Sequence, residues 1–84
     1  MAVSSELRLR RLRVDEALPK LDYYLNAAFT DGLPSVCIVH GKGTGVLRQV
    51  VHEALAENPL VKSFRPGGYG EGDAGVTIVE LANH

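Results

Sequence analysis

The sequence has 84 residues, of which 45% are hydrophobic and 23% charged, with a formal net charge of −1 at pH 7. This length suits one small domain with a modest core, and the single cysteine excludes a disulfide framework. No apolar run reaches the roughly 18 residues of a membrane span, and no signal-peptide core is present. The composition therefore predicts a soluble, cytoplasmic protein with no membrane partner.

The first half of the chain shows the patterns of a strand, a helix and a second strand. Residues 7–10 alternate leucine with arginine, which is typical of a strand with one buried face. Apolar residues recur at helical spacing over 14–30, and Gly32 supplies a left-handed terminus. Residues 36–39 then predict a buried strand.

The second half predicts a helix and two more strands. A helix over 45–57 has Thr44 as its N-cap, and a strand over 60–65 follows it. A glycine-rich segment, 66–75, reads as a mobile loop before the last strand, 76–81.

The order βαβαββ predicts the fold class. It is an α/β two-layer sandwich, in which a four-stranded mixed sheet carries two helices on one face and leaves the other open. Residues 1–5 are expected to form a flexible tail, 6–81 the domain, and 82–84 a second tail.

Residues 39–45, VHGKGTG, join a predicted strand to a predicted helix. Backbone N–H groups at the positive end of a helix bind anions, phosphate above all. Lys42 adds a charge and Thr44 a hydroxyl. The alternative is that the glycines only permit a tight turn.

Two nucleotide motifs fail on spacing. A Walker A loop requires a glycine where Val36 stands, and a dinucleotide fingerprint requires one where Arg48 stands. We therefore expect no bound nucleotide and interpret the turn as a site for a polyanion backbone.

Charged and titratable residues surround this turn. His40 could act as a general acid or base, or could simply be a loop histidine bonded to the backbone. His52 and His84 are expected to face solvent. Because adjacent parallel strands end at the same sheet edge, the arginine run can reach the turn rather than form only a solvated edge. The basic candidates for phosphate contact are Arg8, Arg10, Arg11, Arg48 and Arg65.

Two carboxylates in the glycine-rich loop are candidate metal ligands. Glu71 and Asp73 could hold a Mg²⁺ or Mn²⁺ shared with a phosphate, since such ions keep most of their waters. Solubilising loop charges would explain them equally well.

Three segments resemble the small MutS-related (Smr) domain. Residues 40–45 are similar to its HGxGxG signature, and residues 70–79 (GEGDAGVTIV) to its GEGGxGVTxV ending. Residues 7–10 are similar to its opening Leu-Asp-x-His or Leu-Asp-x-Arg element. The resemblance covers about residues 6–81. It implies a two-layer α/β sandwich, nucleic-acid binding and, in many members, metal-stimulated nicking of DNA, often branched DNA, or cleavage of RNA.

The resemblance is greatest to the carboxyl-terminal domain of a MutS-type ATPase, which would make an ATPase domain the partner in the parent chain. Parents of this type are linked to recombination suppression and DNA repair, or to ribosome rescue. The resemblance also implies that Gly41, Lys42, Gly43 and Gly45 contact the nucleic-acid backbone, with His40 in or beside the active centre.

This chain departs from the family pattern in having Arg8 where aspartate is usual and Arg11 where glycine is usual. Two hypotheses follow. In the first, the domain is an endonuclease in which the glycine turn holds a phosphate and Lys42 and Arg10 neutralise developing charge. His40 then transfers a proton, and a divalent ion lies near Glu71. In the second, it is a non-catalytic module that binds DNA, RNA or a ribosome.

Overall fold

The structure, a computed structural model, describes residues 3–43, 45–68, 70 and 73–82. The elements within these residues are β1 (Glu6–Arg8), α1 (Val14–Thr30), β2 (Ser35–Val39), α2 (Val46–Glu57), β3 (Val61–Pro66) and β4 (Val76–Leu81). One turn of 3₁₀ helix, Asp73–Gly75, precedes β4. The order βαβαββ is confirmed, and the predicted boundaries are correct to within two residues.

The strand order in the sheet is β1-β2-β4-β3. Strand β1 pairs parallel to β2, whereas β4 lies between β2 and β3 and is antiparallel to both. The sheet is therefore mixed, as predicted. Because Val39 pairs with Val76, the end of β2 lies beside the start of β4. This register brings the glycine turn next to the segment that precedes β4.

Both helices pack on one face of the sheet. Helix α1 buries Leu21 and Leu25, one turn apart, and α2 buries Val51 and Leu55 at the same spacing. Burying side chains of this size contributes about 1.5–3 kcal/mol each. The sheet residues that join this core include Val36, Ile38, Val79 and Leu81. Neither α1 nor α2, the two α-helices of the described residues, covers the opposite face of the sheet.

Each helix end has a local cause. The Glu16 side chain accepts the Arg13 N–H at 2.9 Å before the first turn of α1. Gly32, with φ of 78°, follows the last turn, as predicted. At the start of α2 the N-cap is left-handed Gly45, so the prediction of Thr44 as N-cap is wrong. Thr44 itself lies outside the described residues.

The ends of the chain contact the domain where they are described. The expected N-terminal tail includes residues 3–5, yet the Cys37 N–H donates to Ser5 O at 2.8 Å and the Tyr24 hydroxyl donates to Ser4 O. Burial, with smaller effects from Cys37 and Glu6, raises the pKa of Tyr24 to about 12. At the other end, Ala82 donates to the carbonyl of residue 60 at 2.8 Å.

Across the described part of the chain, no helix has the length and apolarity needed to cross a membrane.

Candidate nucleic-acid interface

The glycine turn has an alternating backbone. Gly41, Gly43 and Gly45 have φ of 81°, 28° and 86°. Among the described residues Arg11 is the one non-glycine with positive φ, so Lys42, between two glycines of positive φ, has a negative φ. The sign of φ thus alternates from Gly41 to Gly43, and backbone nests that bind anions use changes of this kind to turn successive N–H groups toward one concavity.

Gly75 holds the turn against the start of β4. Its carbonyl oxygen accepts the N–H of His40 at 3.1 Å and the N–H of Gly41 at 2.9 Å. A Cβ at Gly75 would lie 3.6 Å from Lys42 Cγ, an ordinary van der Waals distance, so Gly75 and Lys42 are close neighbours. Because the Gly41 N–H is already donated, this residue shapes the turn and does not supply an N–H to an anion.

A cleft with a volume of about 460 Å³ opens beside the turn. The N–H groups of Leu9 and Arg10 both donate to Val39 O, at 2.7 and 3.1 Å, which brings the chain after β1 to the end of β2. Arg10 and Lys42 are both exposed and both line the cleft. The other described lining residues are Val39, Gly41, Gly43, Gly75 and Val76. The sequence prediction that Arg10 approaches the turn thus matches the observed geometry.

The His40 ring does not face this cleft. Only 4% of the residue is exposed, and it follows Val36 and Ile38 in the register that faces the helices. Its Nδ1 lies 3.0 Å from the oxygen of Gly41, and its Nε2 lies 2.8 Å from Oγ1 of Thr77. Both ring nitrogens therefore have protein partners, and the ring lies on the other side of the sheet from the cleft.

A second histidine completes this buried cluster. Nε2 of His52, on α2, lies 2.7 Å from Thr77 Oγ1, and the His52 ring is 6.1 Å from the His40 ring and 5.2 Å from that of Phe64. Burial lowers the pKa of His52, and the charges of His40 and Arg48 lower it further. His52 is therefore half-buried and bonded, so the prediction that it faces solvent is wrong.

The remaining basic candidates lie outside the described cleft lining. The Arg8 guanidinium pairs with Glu6 at 2.9 Å. Arg11 follows Arg10 in a left-handed conformation, with φ of 71°. Arg48 lies exposed in the first turn of α2, and Arg65 lies on β3, where Nη1 donates to the following carbonyl at 3.2 Å. The structure thus places Arg10 in the described cleft lining, and these four arginines outside it.

The metal prediction falls largely outside the described chain. Glu71 is not among the described residues, and nothing is described of the Asp73 side chain. Within the described ranges, no group of three or more histidine, cysteine, aspartate or glutamate side chains could hold a metal ion.

Sequence reasoning missed Thr77 and His52, although a signal existed for each. Thr77 alternates with Val79 and Leu81, which places its hydroxyl on the buried face of β4. His52 comes one residue after Val51 and three before Leu55, on the edge of the buried stripe of α2. A polar side chain in either position is expected to have a buried partner.

The fold and this site together define a class: a two-layer α/β domain with a glycine turn and a basic cleft at the end of its second strand. The model of one family, the Smr domain, matches residues 7–82. The chain belongs to the Smr domain family.

Similar proteins agree with this assignment. "Endonuclease MutS2" of Lachnoclostridium phytofermentans is 54% identical over 81 residues, which are 96% of this chain and 10% of that protein. The crystal structure of the Smr domain of Thermus thermophilus MutS2 superposes with a TM-score of 0.89 at 47% identity, covering 92% of this chain and 96% of that one.

YdaL, a stand-alone small MutS-related protein from Escherichia coli, gives a TM-score of 0.87 at 29% identity and covers 94% of this chain and 65% of its own. The chain thus spans about a tenth of the length of the curated relatives it matches.

Proposed function

We propose that this domain binds the phosphodiester backbone of a nucleic acid in the cleft beside the glycine turn. The observation that carries the proposal is the convergence of Arg10 and Lys42 on a turn in which the sign of φ alternates from Gly41 to Gly43. Cationic side chains supply attraction to phosphate, and backbone N–H groups supply directional donors. The two together suit a phosphate held at the surface.

The shape and chemistry of the cleft favour a polymer backbone over a free nucleotide. The described lining consists of two cationic side chains, two valines and three glycines, with no aromatic side chain to stack on a base. Phosphate contacts of this kind position a nucleic acid without reading its sequence. We therefore expect binding with little sequence preference.

We propose nicking of the backbone as the activity. Support comes from the curated relatives, which are named Endonuclease MutS2. Arg10 and Lys42 would neutralise charge that develops on the phosphate during cleavage. A divalent ion, Mg²⁺ or Mn²⁺, belongs to the proposal with Glu71 and Asp73 as candidate ligands. Because the described residues contain no group of three or more histidine, cysteine, aspartate or glutamate side chains that could hold a metal ion, we assign no step of cleavage to the ion.

A binding module without catalysis is the alternative, and two observations favour it. His40, the expected proton carrier, is buried with both nitrogens bonded to protein atoms. Arg8, which stands where the family usually has aspartate, is paired with Glu6. In this alternative the domain delivers an attached ATPase to DNA, RNA or a ribosome.

A plasmid assay separates the two functions. Supercoiled DNA is incubated with the 84-residue chain and Mg²⁺ or Mn²⁺, and the open-circular product is measured over time. Nicking by the wild type that falls in Lys42→Ala and Arg10→Ala supports the endonuclease. Lys20→Ala is the matched control, because Lys20 is exposed on α1, on the helical side of the sheet. Binding without nicking by the wild type would leave the non-catalytic module.

The finer choice of substrate is also a proposal. We infer from the family resemblance that DNA, including branched DNA, is the substrate, in recombination suppression or repair. Affinities for a four-way junction, a duplex, a single strand and an RNA hairpin are compared at one salt concentration. Preference for the junction supports this inference. Preference for the RNA hairpin would instead favour action on RNA or the ribosome.

A further inference from the structure

His40 acts on the glycine turn through a backbone carbonyl. Its Nδ1 lies 3.0 Å from the oxygen of Gly41. A carbonyl oxygen can only accept a hydrogen bond, so Nδ1 carries a proton in this contact. Because the ring lies on the helical side of the sheet, a phosphate in the cleft would not touch it. The Gly41 carbonyl is therefore a direct route from the His40 ring to the cleft.

Thr77 determines the state of the other ring nitrogen. In the neutral ring Nδ1 holds the single proton, so Nε2 must accept the Thr77 hydroxyl proton across 2.8 Å. The hydroxyl oxygen is then free to accept, and His52 Nε2–H donates to it across 2.7 Å. Donation therefore runs in one direction, from His52 to Thr77, then to His40 and finally to the Gly41 carbonyl.

The neighbours of His52 keep this order of donors. Burial lowers the pKa of His52, and His40 and Arg48 lower it further, so His52 favours its neutral form. The Phe64 ring packs against it at 5.2 Å between centroids. Thr77 is 0% exposed, so its hydroxyl has no water to replace a lost histidine partner.

The last bond in this series orients a peptide unit of the cleft. In a trans peptide the C=O and the following N–H point in opposite directions, and no described peptide bond is cis. Since the Gly41 carbonyl points inward to His40, the Lys42 N–H points away from the buried side. That N–H lies in the residue whose side chain lines the cleft.

We propose that Thr77 and His52 are positioning residues that hold His40 as the Nδ1–H tautomer and so keep the Gly41–Lys42 peptide turned with its N–H toward the cleft. The consequence of this peptide orientation for nucleic-acid binding rests on the proposed function, whereas the tautomer of His40 does not. In the other tautomer a bare Nδ1 would face the Gly41 carbonyl oxygen, and repulsion between two acceptors would drive the peptide away from this orientation.

The test combines a spectroscopic signature with binding. The tautomer of His40 is read from nitrogen-15 NMR of the imidazole rings in wild type, Thr77→Val and Thr77→Ser. Valine matches threonine in shape but removes the hydroxyl, and serine restores it. Affinity is measured with a fluorescein-labelled DNA duplex. We expect valine to mix the two tautomers and to weaken binding about threefold to tenfold, the effect of one hydrogen bond, and serine to restore both.

A second pair of variants allows the same test if Thr77→Val does not fold. His52→Leu removes the donor to Thr77 at a half-buried position, whereas His52→Gln keeps an N–H. Mixed tautomers in His52→Leu and a single Nδ1–H form in His52→Gln would support the proposal. A pure Nδ1–H form in both the valine and leucine variants would overturn it. If the variants change the His40 tautomer as expected but the wild type binds no nucleic acid, the tautomer proposal stands and only the proposed function is refuted.

Discussion

Replacing Lys42 with alanine should weaken the salt dependence of nucleic-acid binding by a defined amount. Each phosphate contact made by a cation contributes about −0.9 to the slope of log affinity against log salt on duplex DNA. The cleft is lined by two cationic side chains, Arg10 and Lys42. Together they account for a slope of about −1.8, which is a loss of affinity of about 12-fold between about 50 and 200 mM salt.

Removing one of the two should halve this contribution. With Lys42→Ala the cleft retains a slope of about −0.9, or a loss of about 3.5-fold over the same salt range. Arg10→Ala should behave alike, and the double variant should lose the whole contribution. The assay is fluorescence anisotropy of a labelled duplex, titrated at several salt concentrations with wild type and each variant.

The control and the refutation use the same measurement. Lys20→Ala removes one charge from the exposed side of α1 and should leave the slope unchanged. If Lys42→Ala and Arg10→Ala both kept the wild-type slope, the phosphate contacts would lie elsewhere on the molecule. A slope that changed equally in all three variants would show only a general effect of net charge.

Three further predictions concern the backbone and pH. Gly41→Ala and Gly32→Ala place a side chain at nearly equal φ, 81° and 78°, so each should lower the free energy of unfolding in urea by about 1–2 kcal/mol. Only Gly41→Ala should also weaken DNA binding, and equal binding by the two variants would contradict this prediction. Arg11→Gly removes the strain of an arginine in the left-handed conformation and should raise the free energy of unfolding by up to about 1 kcal/mol in the same assay. A lower free energy of unfolding would refute this prediction.

Because the pKa of His52 is lowered in the folded protein, neutral His52 stabilises the fold above the ordinary histidine pKa, and this stabilisation is lost as the pH falls below that value. From about pH 7.5 to about pH 5.5 the Tm should therefore fall further in wild type than in His52→Gln. Parallel curves of Tm against pH would contradict this prediction.

The fold was predictable because its patterns are local. Helix α1 was predicted with its observed bounds, since apolar spacing, polar flanks and Gly32 all act within a few residues. The strand order could not be read in the same way. The insertion of β4 between β2 and β3 depends on contacts between segments that are distant in sequence.

The candidate site was predictable in its backbone but not in its side-chain directions. Glycine is the residue that best tolerates the positive φ found at Gly41, Gly43 and Gly45, and parallel pairing of β1 with β2 brought Arg10 near. The direction of His40 depends on a strand register one residue past β2, where a loop was expected. Its partner Thr77 lies 37 residues further along the chain, so only the folded sheet brings the two together.

The central claim is that a nucleic-acid backbone lies in the cleft formed by Arg10, Lys42 and the glycine turn. Titration of the nitrogen-15-labelled chain with a short DNA duplex, followed by amide chemical shifts, tests it most directly. Our account predicts that the largest changes occur at Arg10, Lys42, Gly43 and Gly75 and fade across α1. Changes confined to the helical side of the sheet, with the turn unaffected, would contradict it.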